Sequence, residues 1–127
     1  PCHYVEDGKT ICDVPLRACI GKCAVVSGPG DLHFRRKRVL LKGEDSTLTP
    51  EQAQQLVDRK VLLVGTESIS IGNNEVHKIL LQNECAVIEA LDLSRAKEGN
   101  YVLMAAPLKM ELDGSPLRAV LLEEEEE

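Results

Sequence analysis

A short apolar run at residues 61–64 (Val-Leu-Leu-Val) most strongly limits the folds open to this chain. The run has the length of a strand, ends before Gly65 and lacks polar alternation, which is typical of a strand covered on both faces. Residues 39–42 repeat this pattern. Between the two runs, Thr49 and Pro50 begin a helix, since threonine caps helices and proline suits the first turn. The sequence therefore predicts a mixed α/β domain with residues 61–64 as a central strand.

A second helix and strand carry the residues of greatest chemical interest. Apolar residues recur at helical spacing in residues 75–82, and residues 85–90 follow as a strand. This order places His77 near the start of the helix and Glu89 near the end of the strand, where we expect them to converge. Imidazole and carboxylate groups are ligands of zinc and manganese. The pair suggests half of a catalytic metal site, because such sites need three or more protein ligands.

Each of these two residues also has a purely structural interpretation. His77 lies beside the apolar stripe of its helix, where a histidine is ordinarily a hydrogen-bonded core residue. Glu89 is otherwise a paired surface carboxylate, since charged groups are seldom buried without a partner. The residue pattern alone leaves both alternatives open.

Composition and charge exclude several classes of function. The chain has 127 residues, enough for one domain, and only three aromatic residues, so its core is aliphatic and lacks the stacking platforms of single-stranded nucleic-acid binders. No apolar stretch approaches the ~18 residues of a membrane helix. The net charge is −6, and residues 123–127 are five consecutive glutamates. We expect a folded domain over residues 1–122 and a disordered acidic tail over residues 123–127. A tail of this kind can also pair with a basic partner.

Residues 35–38 (Arg-Arg-Lys-Arg) form the basic cluster of the sequence. They resemble a short nuclear-targeting or polyanion-binding patch. An exposed strand entrance is the favoured interpretation, because the cluster runs directly into the apolar residues 39–41.

The five cysteines are an odd number without a Cys-x-x-Cys motif, and no secretory leader is recognisable. We therefore expect a reducing compartment, the cytoplasm. Cys19 and Cys23 are spaced to present two thiolates on one helix face for zinc, but a role as small buried hydrophobic residues is favoured. Cys2 adjoins His3, yet neighbours in a strand point to opposite faces, so thiol chemistry there is disfavoured.

Several motifs, taken in order along the chain, carry a resemblance to a known family. They are His3, the turn at residues 6–11, the strand end at Val64 and Gly65, His77, Glu89, and the Asp-Gly-Ser-Pro-Leu-Arg-Ala stretch at residues 113–119. Together they resemble the cyclase family of metal-dependent hydrolases, which includes bacterial kynurenine formamidases (arylformamidases) and isatin hydrolases. The family signature is His-x-Gly-Thr-His-x-Asp-x-Pro-x-His, and this sequence begins at its proline with Pro1-Cys2-His3.

The resemblance implies a fold, a site and a reaction. The fold is mixed β-sheet layers with flanking helices, the swivelling β/β/α type. His77 and Glu89 match metal-binding residues for zinc or manganese, and His3 matches the histidine that transfers a proton beside the metal. The implied reaction is amide hydrolysis of the arylformamidase type by metal-activated water, with N-formylkynurenine as the default small-molecule substrate.

The sequence also departs from the family pattern. The opening segment, which in the family supplies three further metal ligands and an edge of the fold, is not in this sequence. The stretch at residues 41–48 is shorter than in most family members, and Thr66 stands where aspartate is common in the family. Because an open sheet edge invites association, we expect a homodimer or a partner chain. The alternative function is a catalytically inactive cyclase-like domain that serves as a protein-interaction module.

Overall fold

The computed structural model describes residues 13–28, 30, 32–109 and 114–124. The elements in chain order are α1 (Leu16–Cys19), β1 (Ile20–Ser27), β2 (Arg38–Lys42), α2 (Pro50–Asp58), β3 (Leu63–Thr66), α3 (Asn74–Gln82), β4 (Ala86–Ile88), β5 (Gly99–Met104) and β6 (Val120–Glu123). Strands and helices alternate along the chain from β2 to β4. The predicted α/β fold class is therefore confirmed.

The described strands form one six-stranded mixed sheet in the order β4-β3-β2-β1-β5-β6. Strands β1 to β4 are parallel to one another, whereas β5 and β6 are antiparallel to their neighbours. The strand predicted at residues 61–64 is β3, which starts and ends two residues later. It is internal as expected, lying between β2 and β4 with all four residues buried.

Alternating side chains of the sheet build two apolar layers. On one face, Val39, Leu41 and Val64 pack against α2 and α3. On the other face, Leu40 and Leu63 pack against α1 and the segments that follow β4 and precede β6. The change of face between consecutive residues is the period-two alternation of a β-strand. The two layers explain why the strand runs in the sequence are uninterruptedly apolar.

Side-chain caps fix where the two long helices begin. The Thr49 hydroxyl accepts a hydrogen bond from the backbone N–H of Gln52, whose side chain in turn accepts one from the backbone N–H of Thr49. This capping box confirms the predicted start of α2. The Asn73 side chain accepts a hydrogen bond from the backbone N–H of Val76 and so starts α3 one residue before the predicted position.

The basic cluster is not simply an exposed strand entrance. Arg38 is only 8% exposed, and its guanidinium donates to backbone carbonyls of Arg17, Ala18 and Lys22. This cation therefore joins β2 to α1 and β1. Desolvation lowers the pKa of Arg38, and the positive charge of Arg17 acts in the same direction.

The first two glutamates of the predicted acidic tail are held by contacts with the sheet and with Arg36. Glu123 ends β6 opposite Tyr101, and both oxygens of Glu124 accept hydrogen bonds from the Arg36 guanidinium. Hydrogen bonding to Arg36 holds the pKa of Glu124 below its usual value. The expectation of a disordered end is thus wrong for the first two glutamates, because strand pairing and a cation fix them. Residues 125–127 lie outside the described part of the chain.

Two further expectations concern the limits of the described chain. Within the described ranges, no helix combines the length and the apolar composition that crossing a bilayer requires. His3, Cys2, the turn at residues 6–11 and Asp113 fall outside the described residues.

Candidate metal centre

The candidate site lies at the carboxyl ends of β3 and β4, beside the loop at residues 67–73 that leads into α3. Ligand sites of open parallel sheets occur at this edge, where loops and helix starts meet. His77 stands in the first turn of α3 and is 4% exposed. Glu89 immediately follows β4, so the strand is shorter than the predicted 85–90. Ala90 has a φ of 59°, which is incompatible with a continuing strand.

The fold brings the two predicted ligands together. His77 Nε2 and Glu89 Oε2 are 3.6 Å apart. The same carboxylate oxygen accepts a hydrogen bond of 2.8 Å from the backbone N–H of Ile71, and the Glu89 side chain is 33% exposed. The expected convergence of helix start and strand end is therefore present. The role of the two residues as metal ligands stays a prediction.

A serine that the sequence did not single out completes this cluster. The Ser70 oxygen lies 3.1 Å from His77 Nε2 and 2.8 Å from the carbonyl oxygen of Gly72. The Ser70 hydroxyl donates to the carbonyl oxygen of Gly72, and the same oxygen lies within hydrogen-bond distance of the His77 ring. Nothing in the sequence distinguishes Ser70 from the other serines of the polar loop.

The described residues fit part of a metal site. A neutral imidazole and a carboxylate suit zinc or manganese. In the described part of the chain, however, no group of three or more His, Cys, Asp or Glu side chains is arranged to hold an ion. His77 and Glu89 are thus an incomplete set, and His3, the proton-transfer candidate, lies outside the described residues.

Both members of this pair border a cleft of about 1330 Å³. Among the described residues, the cleft extends along the edge strand β4 and is also lined by Leu63, Leu91 and Leu117. Its size accommodates a small organic molecule, and aliphatic walls provide apolar contact around the polar pair.

Two further side chains hold the loops around the site. The Glu67 carboxylate accepts backbone hydrogen bonds of 2.9 Å from Gly43, after β2, and from Leu93, after β4. The buried Thr66 hydroxyl donates to the carbonyl oxygen of Ser46 and accepts from the backbone N–H of Ser68. A neutral hydroxyl therefore fastens this loop.

The described cysteines are buried free thiols. Burial raises the pKa of Cys23 to about 11 and that of Cys85 to about 12. Burial also raises the pKa of Cys19, while Arg38 opposes the shift. These directions disfavour thiolates and agree with the interpretation of Cys19 and Cys23 as small hydrophobic residues.

Comparison with known proteins identifies the family. A kynurenine formamidase of Paracidovorax citrulli (strain AAC00-1) is 32% identical over 154 aligned residues, which cover 95% of this chain and 71% of that protein. A kynurenine formamidase of Delftia acidovorans (strain DSM 14801 / SPH-1) is 33% identical over 149 residues, with the same coverage. The chain belongs to the kynurenine formamidase family. No protein-family model matches it.

Solved structures support the same family. A protein described as a potential metal-dependent hydrolase with cyclase activity superimposes with a TM-score of 0.85 at 26% identity, over 98% of this chain and 75% of that one. Isatin hydrolase A from Labrenzia aggregata gives a TM-score of 0.78 at 20% identity and covers 98% of this chain and 71% of that one, which shows the shared fold. The predicted cyclase-like fold is thereby confirmed, and the kinship is with cyclase-family hydrolases.

Within the aligned region, this chain is shorter than its kynurenine formamidase relative from Paracidovorax citrulli. The 154 aligned positions exceed the 127 residues of the chain, so the Paracidovorax protein has segments inside the aligned region that this chain lacks. The sequence predicted such a difference at residues 41–48. In the structure β2 ends at Lys42 and α2 begins at Pro50, and the buried Ser46 lies in the short connection between them.

Proposed function

We propose that this chain is a metal-dependent amide hydrolase that acts on N-formyl arylamines, with N-formylkynurenine as the default substrate. The observation that carries the proposal is the 3.6 Å approach of His77 Nε2 and Glu89 Oε2 beside a cleft of small-molecule size. Kinship with kynurenine formamidases supports this choice of substrate.

His77 and Glu89 are the residues that would hold a divalent ion, zinc or manganese. When bound, such an ion lowers the pKa of a coordinated water and polarises the amide carbonyl. The chain supplies positioning: α3 holds the His77 ring, and the Ile71 N–H fixes one oxygen of Glu89. The aliphatic cleft walls exclude water around the aryl group. His3 is the residue we propose for proton transfer to the leaving amine nitrogen.

The test is hydrolysis of N-formylkynurenine and formanilide by the chain in saturating zinc or manganese. We expect turnover that a chelator removes, and a loss of kcat/KM beyond about a hundredfold in His77→Ala and Glu89→Gln, since ligand loss exceeds the ~10–100-fold effect of outer-shell changes. His33→Ala, which alters an exposed histidine without an assigned role, is the matched control. Absence of metal-dependent turnover in the unaltered chain would contradict the proposal.

Binding of another protein chain is the second candidate function, and an exposed apolar surface favours it. Strand register aligns Ile20 with Met104 and Met104 with Val120, and Leu122 projects on the same side of β6. These four side chains, the apolar strand face, are 37–45% exposed. In the described chain, β6 is also an edge strand. An apolar edge strand can pair with a strand of another chain. Antiparallel pairing of β6 with β6 of a second copy is self-complementary, so we propose a homodimer.

Sedimentation velocity of the metal-free chain tests this association. The homodimer predicts that Met104→Glu, which places a charge in the apolar strand face, shifts the chain to a monomer. Ile69→Glu alters another exposed isoleucine outside that face and serves as the control. A monomeric unaltered chain, or a dimer that Met104→Glu leaves intact, would contradict the association.

A further inference from the structure

The cleft beside the candidate metal pair has a different chemical character at its two ends. His77 and Glu89 line it where the parallel strands end. Arg17 and Lys60 line the same cleft, and Lys60 lies in the turn between α2 and β3, where the parallel strands begin. A pair of cations therefore borders the cleft away from the candidate ligands.

Backbone contacts and strand register locate Arg17 at this second end. Its carbonyl oxygen accepts a hydrogen bond from Arg38, the first residue of β2. Arg38 lies opposite Leu63, and Leu63 lies opposite Ala86, the first residue of β4. Arg17 is thus at the amino ends of the strands, as Lys60 is. We call these two residues the cationic end of the cleft.

The positive charge at the cationic end has no carboxylate partner among the described residues. Arg17 and Lys60 are exposed, and neither forms an ion pair within the described chain. Desolvation and the positive charge of Arg17 lower the pKa of Arg38, whose guanidinium donates to backbone carbonyls, so the two guanidinium charges are close together. Asp13 and Glu84 also line the cleft, but each has an interaction of its own. The cationic end is therefore suited to an anion.

The length of the cleft suits a substrate that is polar at both ends. From Cys85 to Glu89, both of which line it, four residue steps of an extended chain cover about 13 Å. In N-formylkynurenine the formyl carbon and the carboxylate carbon are at most about 9 Å apart, from the bond lengths between them. The flexible arginine side chain covers the remainder. A formamide placed at His77 and Glu89 thus leaves the carboxylate within reach of Arg17.

We propose that Arg17 and Lys60 bind the carboxylate of the substrate and select aryl formamides that carry an anionic group. This inference rests on the proposed function. The planar guanidinium of Arg17 offers two parallel N–H groups to a carboxylate, and the ammonium of Lys60 adds a point charge. A neutral aryl formamide makes neither contact, so its transition state is bound less tightly.

Two substrates that differ only in charge measure this selection. One is N-formylkynurenine without its amino group, the acid, and the other is the primary amide of that compound, the amide. We expect the unaltered chain, with zinc or manganese, to favour the acid by about tenfold in kcat/KM, the size of a charge-assisted hydrogen bond weakened by solvent. This preference should fall as salt concentration rises, because salt screens exposed charges.

Substitutions at the cationic end should reduce the ratio of the two kcat/KM values. Arg17→Gln should lower the preference to about threefold, and the double variant Arg17→Gln/Lys60→Gln should remove it. Arg95→Gln removes an exposed arginine that does not line the cleft and should keep the preference of the unaltered chain. The ratio is the readout, so a general loss of activity in a variant does not imitate the expected result.

Calorimetric binding to the metal-free chain supplies a readout that needs no turnover. The ligands are the deformylated acid and the deformylated amide. We expect the acid to bind more tightly in the unaltered chain and in Arg95→Gln, and the difference to disappear in the double variant.

The outcomes separate the cationic end from the proposed function. Metal-dependent turnover without a preference for the acid, or with a preference that the double variant keeps, would overturn the inference and leave the proposed function intact. Absence of turnover, with tighter binding of the acid that the double variant loses, would overturn the proposed function and retain the carboxylate site. Neither turnover nor tighter binding of the acid would overturn both.

Discussion

Replacement of Arg38 by alanine tests how the buried cation holds the first elements of the fold. Its guanidinium donates to three backbone carbonyls, those of Arg17, Ala18 and Lys22. It also covers Gly21, where an added Cβ would lie 2.6 Å from the guanidinium. Truncation removes these donors and opens a space between β2 and α1.

The expected loss follows from the burial of each acceptor. The Ala18 contact is buried, and a buried carbonyl without a donor costs about 1–3 kcal/mol. The Arg17 and Lys22 contacts are partly buried, so water replaces the donor there at about 0–1 kcal/mol each. Arg38→Ala should thus lower the free energy of unfolding by roughly 3 kcal/mol. For a chain of this size that is a fall of ~10 °C in Tm.

Urea unfolding followed by circular dichroism measures this loss. The stability of Arg38→Lys should lie between those of the unaltered chain and Arg38→Ala, because one ammonium cannot reproduce the planar fork of donors. Arg35→Ala removes the same charge from an exposed position and should change stability by less than ~0.5 kcal/mol. If Arg38→Ala were as stable as Arg35→Ala, the reasoning from buried carbonyls would be wrong.

Two further predictions concern the loops and the core. Glu67→Ala removes the acceptor shared by the Gly43 and Leu93 backbone N–H groups and should lower the free energy of unfolding in urea by about 2 kcal/mol. Glu67→Gln should lose less, and equal losses in the two variants would contradict a role for these two hydrogen bonds. Burial raises the pKa of Cys23 to about 11, so its contribution to stability is complete below pH ~9 and is lost as pH rises toward 11. Unfolding free energy measured across that range should fall less steeply in Cys23→Ala.

The fold was predictable wherever local pattern and local chemistry agree. The apolar run at residues 61–64 indicated a covered strand, and the Thr49 cap indicated a helix start, because both signals lie within a few residues of the feature. The His77 and Glu89 pair was predictable for a related reason: the helix start and the following parallel strand end meet at the same sheet edge.

The remaining features depend on contacts between distant residues. The sequence shows a run of four basic residues, but only the fold places Arg38 against the carbonyls of α1 while Arg35 faces solvent. The ion pair of Arg36 and Glu124 joins residues 88 positions apart, so local sequence pattern could not show that the first glutamates are held in place. Ser70 comes into contact with His77 only because the loop folds back on α3.

Metal content per chain is the most direct test of the central claim that His77 and Glu89 form part of a metal centre. The purified chain is equilibrated with zinc or manganese, freed of loosely held ions and analysed by mass spectrometry beside His77→Ala and His33→Ala. The account predicts at least one ion per chain, kept in His33→Ala and lost in His77→Ala. Metal-free protein, or an ion that remains in His77→Ala, would contradict it.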